Sequence, residues 1–145
     1  MTMKGVVNHL RAQLISATGT YLGPAQVLRG TPATTQRSDT VATVQVIPLP
    51  SEDESVHLGD GWYDIFRVHI QAVYPATWIE TDKQLDLAEE IKQVIRDNWD
   101  FNADGEQATL KSRKWGYGYA SSGEQTLNTV DVIVEYSGPG IAATA

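Results

Sequence analysis

The chain has 145 residues, 41% of them hydrophobic and 20% charged, so it is long and apolar enough for one folded domain with a single core. Its 18 acidic residues outnumber the 11 basic ones and give a formal charge of −7, which repels phosphate backbones and disfavours tight binding to nucleic acid. The absence of cysteine excludes disulfides, thiolate metal sites and cysteine nucleophiles. Residues 1–15 lack the apolar stretch of a signal peptide, and no run approaches a membrane span. We therefore expect a protein that is made in the cytoplasm and has no membrane contact.

The first half of the chain predicts one helix followed by strands. Apolar residues recur every three or four positions between Lys4 and Ala17, which indicates an amphipathic helix, and Gly19 suits a left-handed cap after it. Strands are predicted at 24–28, 41–49 and 62–74. The side chains of the third strand alternate, and one set is expected to face the core: Trp62, Asp64, Phe66, Val68, Ile70 and Ala72.

The second half predicts another helix and two further strands. The helix spans Thr81 to Trp99, because a capping box at 81–84 precedes an apolar stripe. A turn is expected at 102–106, a strand at 108–114, a Gly-Ser turn at 121–123 and a last strand that ends near Tyr136. The predicted helix stripe consists of Leu85, Ala88, Ile91 and Ile95, flanked by Leu87 and Val94, and the last strand points Val130, Val132, Val134 and Tyr136 to one side.

These elements predict an α+β fold with a mostly antiparallel or mixed sheet of about five strands. Strands joined by short turns pair antiparallel, and two helices cover about one face of such a sheet. The other face is then left for water or a partner. We expect a single domain over residues 1–136 and a flexible tail over residues 137–145, which has little large apolar content.

The acidic segment 51–61 is predicted to be a long exposed loop between two strands. Its carboxylates keep it solvated, and its two large apolar side chains could be covered by a partner. We consider it a candidate contact for assembly or a surface that repels a polyanion. The residues that define it are Glu52, Asp53, Glu54, Val56, Leu58 and Asp60.

Three aromatic residues, Trp115, Tyr117 and Tyr119, share one face of a predicted strand and alternate with glycines. Such residues are either part of the core or an interface patch. The interface interpretation gains weight here because the helices leave one sheet face uncovered. These three residues complete the set of candidate interface positions.

The sequence offers no pattern that supports catalysis, a cofactor or a metal site. Residues 100–105 match the first half of a calcium loop, but Lys111 stands where the closing Glu is required. His9, His57 and His69 lie on different predicted elements without ligand spacing. The glycines of 115–119 have neither dinucleotide nor P-loop spacing, and no serine sits in a nucleophile elbow.

The order of elements resembles that of the tail terminator, or tail completion, proteins of long-tailed bacteriophages. The resemblance lies in layout and strand character over residues 4–136, and the segment 115–123 departs from it. It is carried by a helix at 6–17, the strands VATVQVIPL and WYDIFRVHIQAVY, the helix LDLAEEIKQVI and the closing strand TVDVIVEY.

The resemblance implies a structural virion protein of the tail and neck, assembled in the host cytoplasm, and not an enzyme. It implies a homo-oligomeric ring, expected to be a hexamer, that caps the tail tube, stops its polymerisation and offers a docking surface to the head. The partners would be the tail tube protein and a head-completion or connector protein, with DNA as passing cargo. A head-tail connector or another minor virion protein is the alternative, and a small-ligand-binding or hydrolytic α+β enzyme is a third possibility.

Overall fold

The computed structural model describes residues 1–29, 40–50, 56–58, 61–75, 77–78, 81–122 and 125–139. The predicted α+β class is confirmed, and two short strands, β3 and β5, add to the predicted set. Neither helix found within these residues is long and apolar enough to cross a membrane. The elements of the described residues are α1 (Met3–Ile15), β1 (Gln26–Arg29), β2 (Thr43–Pro48), β3 (Val56–Leu58), β4 (Gly61–Val73), α2 (Thr81–Asp97), β5 (Asp100–Ala103), β6 (Glu106–Ser122) and β7 (Gln125–Pro139).

The strands form one mixed sheet in the order β1-β2-β4-β7-β6-β5, and β3 pairs with the start of β4. β1 runs parallel to β2, whereas every other pair of described strands is antiparallel. The predicted mostly antiparallel sheet is therefore confirmed. β4 and β7 lie at its centre and bring the middle and the end of the chain together.

The core lies between the two helices and one face of the sheet. The predicted alternation in β4 is confirmed for Phe66, Val68, Ile70 and Ala72, which are buried, whereas Asp64 is partly exposed. The register places each of these four buried residues opposite a buried residue of β7. These partners are Tyr136, Val134, Val132 and Val130, which were predicted to share one side.

Helix α1 begins after Thr2, whose hydroxyl accepts a hydrogen bond from the amide of Gly5 and caps the first turn. Its buried stripe consists of Val6, Leu10 and Leu14. The helix ends at Ile15 with Ser16 in a right-handed conformation (φ −83°), so the predicted left-handed cap at Gly19 is wrong. A side chain at that glycine would meet the end of the Glu90 side chain, which would have to move.

Helix α2 buries Leu87, Ala88, Ile91 and Ile95, whereas Leu85 is 42% exposed. Leu87 lies one turn before Ile91, but Leu85 is displaced by about 200° from Leu87 around the helix axis. Only one of the two leucines can therefore face the sheet. The predicted stripe was right at three positions and wrong at Leu85.

The chain after α2 folds into two successive β-hairpins. The first turns at Asp104 (φ 55°) and Gly105 (φ 78°), the left-handed pair typical of a two-residue hairpin. The predicted turn is therefore correct, but the strand β5 before it was missed. β6 is one continuous strand of 17 residues that includes the aromatic segment, and a bulge between Leu110 and Ser112 interrupts its register with β7. β7 continues to Pro139, so residues 137–139 of the predicted tail are paired strand, and 140–145 lie outside the described residues.

The second face of the sheet is lined by hydrogen-bonded polar side chains. Gln45 donates to Gln71, and Gln71 donates to Asp131, both at 3.0 Å. Arg67 of β4 pairs with Glu135 of β7 at 2.7 Å. The pKa of Glu135 is lowered, mainly by the hydrogen bond that it accepts from Arg67. Cross-strand pairs of this kind satisfy many polar groups of a face that the helices leave uncovered, although the buried Oε1 of Gln45 has no hydrogen-bond partner among the described residues.

Candidate interaction surface

Trp115, Tyr117 and Tyr119 form a row along β6 that we call the aromatic stripe. Their exposed fractions are 42%, 49% and 79%, so the interpretation of these residues as core is wrong. Across the β6–β7 ladder, Trp115 and Tyr117 stand opposite Val132 and Val130, which are buried beneath the helices. Since opposite residues share a face, the aromatic stripe lies on the helix-bearing face and not on the polar one. The stripe is exposed because it lies beside α2 and is not covered by it.

Side chains of α2 hold one end of the stripe in place. The Lys92 ammonium lies 3.9 Å from the centroid of the Trp115 ring, within cation-π range, and donates a hydrogen bond to Glu89 at 2.7 Å. That hydrogen bond is the main reason why the pKa of Glu89 is lowered. The rings of Trp115 and Tyr117 pack edge to face, with centroids 5.4 Å apart. These contacts fix the Trp115 ring on the surface before any partner arrives.

The other end of the stripe borders a shallow hollow of about 160 Å³. Its walls include Gln84 at the start of α2 and Asn128 on β7. Burial is the main cause that raises the pKa of Tyr117, so this hydroxyl stays protonated at neutral pH and can donate a hydrogen bond. Leu85 of α2, which the sequence assigned to the core, is a further exposed apolar side chain. The stripe therefore combines flat apolar rings with polar hydroxyls, as interface aromatics often do.

The backbone edge of β6 is a second feature of the same surface, and sequence reasoning missed it. β7 pairs with β6 along its length, but β5 covers only Glu106 to Thr109 on the other side. Among the described residues, no strand lies beside the outer edge of β6 beyond that point. The sequence signal for β5 was the Asp104-Gly105 pair, because a two-residue hairpin turn requires a strand on each side.

The predicted acidic loop contains a short strand, β3. Val56 and Leu58 belong to β3, where they pair with Tyr63 and Gly61 of β4. The expectation of one uninterrupted loop is therefore wrong, because a short antiparallel strand divides the segment. Glu52, Asp53, Glu54 and Asp60 lie outside the described residues.

The calcium-like segment forms the β5–β6 hairpin. Asp104 accepts hydrogen bonds from the amide and the hydroxyl of Thr2 at 2.9 and 2.7 Å, and these bonds lower its pKa. Asp100 accepts hydrogen bonds from Gln107 at 2.8 Å. Both carboxylates are thus used to tie the hairpin to itself and to the start of α1. In the described part of the chain, no group of three or more acidic or histidine residues could hold a metal ion.

His9 and His69 lie in separate environments of the structure. His9 stacks on Phe101 with ring centroids 3.9 Å apart and hydrogen-bonds to the Asn98 side chain. His69 lies on the polar face of the sheet, 2.7 Å from Asp131. His57 belongs to β3. The first two make the packing and pairing contacts of ordinary structural histidines.

A larger hollow of about 300 Å³ lies between the end of α1 and α2. Glu90 and Asp97 contribute its acidic wall, and Gln13 and Ser16 contribute polar groups from α1. Glu90 already accepts hydrogen bonds from the amide of Tyr21 at 3.2 and 3.1 Å. The hollow therefore contains a carboxylate that is committed to holding the chain after α1.

Comparison with known proteins adds little to these observations. No family model and no curated protein matches the chain. One solved structure is 13% identical, with 97% of this chain and 92% of that chain covered and a TM-score of 0.40. Similarity at this level carries no argument about function, which therefore rests on the residues themselves.

Proposed function

We propose that the chain is a structural subunit that binds other protein subunits, and specifically a tail terminator of a long-tailed phage. Copies of the chain associate into a ring, expected to be a hexamer, that caps the tail tube, stops its growth and offers a docking surface to the head. In this proposal the protein is not an enzyme, and it belongs to the tail and neck of the virion.

The observation that carries the proposal is the exposed aromatic stripe. Three large rings along one rigid strand present a wide apolar surface at low cost in conformational entropy, and aromatic residues are enriched among interface hot spots. Lys92 already orders the Trp115 ring, so less side-chain freedom is lost when a partner covers it. The stripe is therefore suited to binding a protein surface.

Two further features support the particular assignment. The order helix, strands, helix, strands is the layout on which the resemblance to tail terminators rests. The formal charge of −7 suits a ring through which DNA passes, because acidic walls do not retain phosphates. The partners in this proposal are a second copy of the chain, the tail tube protein and a head-completion or connector protein.

The test measures the mass of the wild-type protein by size-exclusion chromatography with light scattering, alone and with purified tail tubes. We expect a ring-sized species and a halt in tube growth when the protein is added. The double variant W115S/Y117S should lose association by more than tenfold, because hot-spot residues contribute about 2 kcal/mol or more each.

Ile15→Ser serves as the matched control, since Ile15 is a 53% exposed apolar residue on α1, away from β6. It should associate as the wild type does. A wild-type protein that stays monomeric at high concentration and leaves tube growth unchanged would contradict the proposal. Binding to the head-side portal with no effect on tubes would favour a connector instead.

A further inference from the structure

We propose that the open edge of β6 accepts an extended segment of a second copy of this chain, in a head-to-tail contact that continues the β-sheet from one subunit to the next. This inference rests on the proposed function and specifies the contact through which the subunits associate. It is derived from the direction of backbone groups, which is a different observation from the exposure of the rings.

The direction of the β6 backbone follows from one hydrogen bond. The amide of Tyr74 donates to the carbonyl of Asn128 at 3.0 Å, so the backbone groups of Asn128 point towards β4 and away from β6. Asn128 pairs with Tyr119. In an antiparallel ladder, the backbone groups of two paired residues either point at each other or both point away. Tyr119 therefore directs its N–H and its C=O away from β7.

Alternation along the strand extends this result to the rest of the edge. Tyr117, Trp115 and Arg113 have the same parity as Tyr119, and no register shift occurs among them. Each therefore directs its N–H and its C=O away from β7, whereas Gly116 and Gly118 direct theirs into the ladder. No hydrogen bond to these outward groups is found among the described residues. The open edge spans about 20 Å, the length of an ordinary strand.

An edge of this kind is a template for pairing with another chain, and proteins usually protect such edges with charges, proline or bulges. β6 has protection at one end only. Its bulge and its basic residues lie between Leu110 and Lys114, whereas Trp115 to Tyr119 carries neither charge nor proline. The unprotected half is the half that bears the aromatic stripe, so one partner could bind the backbone and cover the rings at once.

Charge indicates that the partner is the acidic remainder of a second copy. Lys111, Arg113 and Lys114 carry three positive charges with no acidic residue among 107–122. Since the whole chain carries −7, the remainder carries −10. A head-to-tail contact can place the basic segment against acidic surface of the next copy, whereas an antiparallel two-fold pairing of two open edges leaves the basic segment of each copy beside the uncharged residues 120–122 of the other. Head-to-tail contacts also close into rings, and closure leaves no subunit with an open edge.

The experiment compares Tyr117→Pro with Tyr117→Val. Both remove the same aromatic ring, but only proline removes the outward N–H, and an edge position tolerates proline because the β7 ladder keeps its bonds. Valine is a good strand former, so Tyr117→Val should weaken association only through the loss of the ring. Proline should weaken association at least a further tenfold, with circular dichroism confirming that the sheet persists.

Hydrogen exchange on the wild-type protein provides a second measurement that needs no variant. The amides of Arg113, Trp115, Tyr117 and Tyr119 should exchange rapidly in dilute, monomeric protein and become protected on association. The amides of Gly116 and Gly118 should be protected in both states, because they bond to β7. This measurement decides the matter if the proline variant fails to fold.

Equal association of the proline and valine variants, or edge amides whose exchange does not change on association, would overturn the inference while leaving the proposed function intact. A wild-type protein that never associates would contradict the proposed function itself. A species limited to a dimer would overturn the head-to-tail arrangement. Protection of the edge amides only when tail tubes are added would show that the partner is another protein and would overturn the assignment to a second copy.

Discussion

Replacing Tyr136 by Phe removes one buried hydroxyl and tests how the last strand is tied to the end of α2. Tyr136 is fully buried, and its hydroxyl donates to the Asn98 carbonyl at 2.8 Å. Burial raises the pKa of this phenol, so the hydroxyl remains a donor at neutral pH. Phe keeps the edge-to-face packing against Phe101 but leaves a buried carbonyl without that donor.

The expected cost is about 1–2 kcal/mol, the range for a lost hydrogen bond that leaves a buried acceptor unpaired. For a domain of this size each kcal/mol lowers the thermal midpoint by roughly 4 °C, so we expect a decrease of about 4–8 °C. Urea unfolding with an unchanged slope measures the free energy directly.

Two further Tyr→Phe variants provide graded controls. Tyr74 donates to the carbonyl of Gln84, which lies within α2 and also accepts a backbone hydrogen bond of the helix. The loss of the Tyr74 hydroxyl should therefore cost less. Tyr119 is 79% exposed, so Tyr119→Phe leaves no buried group unpaired and should cost almost nothing. A loss at Tyr136 no larger than that at Tyr119 would refute the reasoning.

Two other predictions concern the face of α2 and the polar face of the sheet. Leu87→Ala should destabilise the fold by about 2–5 kcal/mol in urea unfolding, and Leu85→Ala by less than about 1 kcal/mol, because only Leu87 is buried; equal losses would show that the helix is rotated from its described position. Glu135→Gln should cost about 0.5 kcal/mol at pH 7, a small value because Arg67 is 41% exposed. Since the folded-state pKa of Glu135 lies below its ordinary 4.5, this difference should be present above pH 4.5 and disappear as the pH falls through the lowered pKa; a difference that grows in acid would contradict the pairing.

Periodicity was sufficient to predict the central elements. The alternation of β4 and the spacing within α1 are direct consequences of burying one face, so the sequence shows them without knowledge of the partners. Leu85 could not be distinguished from Leu87 in this way, because both fit an apolar stripe when the position of the sheet is unknown. The helix with the two leucines was predicted correctly, but its buried face required the tertiary structure.

The candidate surface was only half predictable for a related reason. The row of Trp115, Tyr117 and Tyr119 is visible in the sequence, but its placement depends on the register of β6 against β7. The aromatic residues were associated with the uncovered sheet face, and the register instead places them beside α2. The open edge of β6 depends on the shortness of β5, which is a property of pairing and not of the residues of β6.

Light scattering of the wild type and of W115S/Y117S tests most directly whether this chain associates with itself through β6. We predict a ring-sized wild-type species and a folded double variant with a wild-type circular dichroism spectrum that remains monomeric. A wild-type protein that is monomeric at every concentration, or a double variant that assembles as well as the wild type, would contradict it.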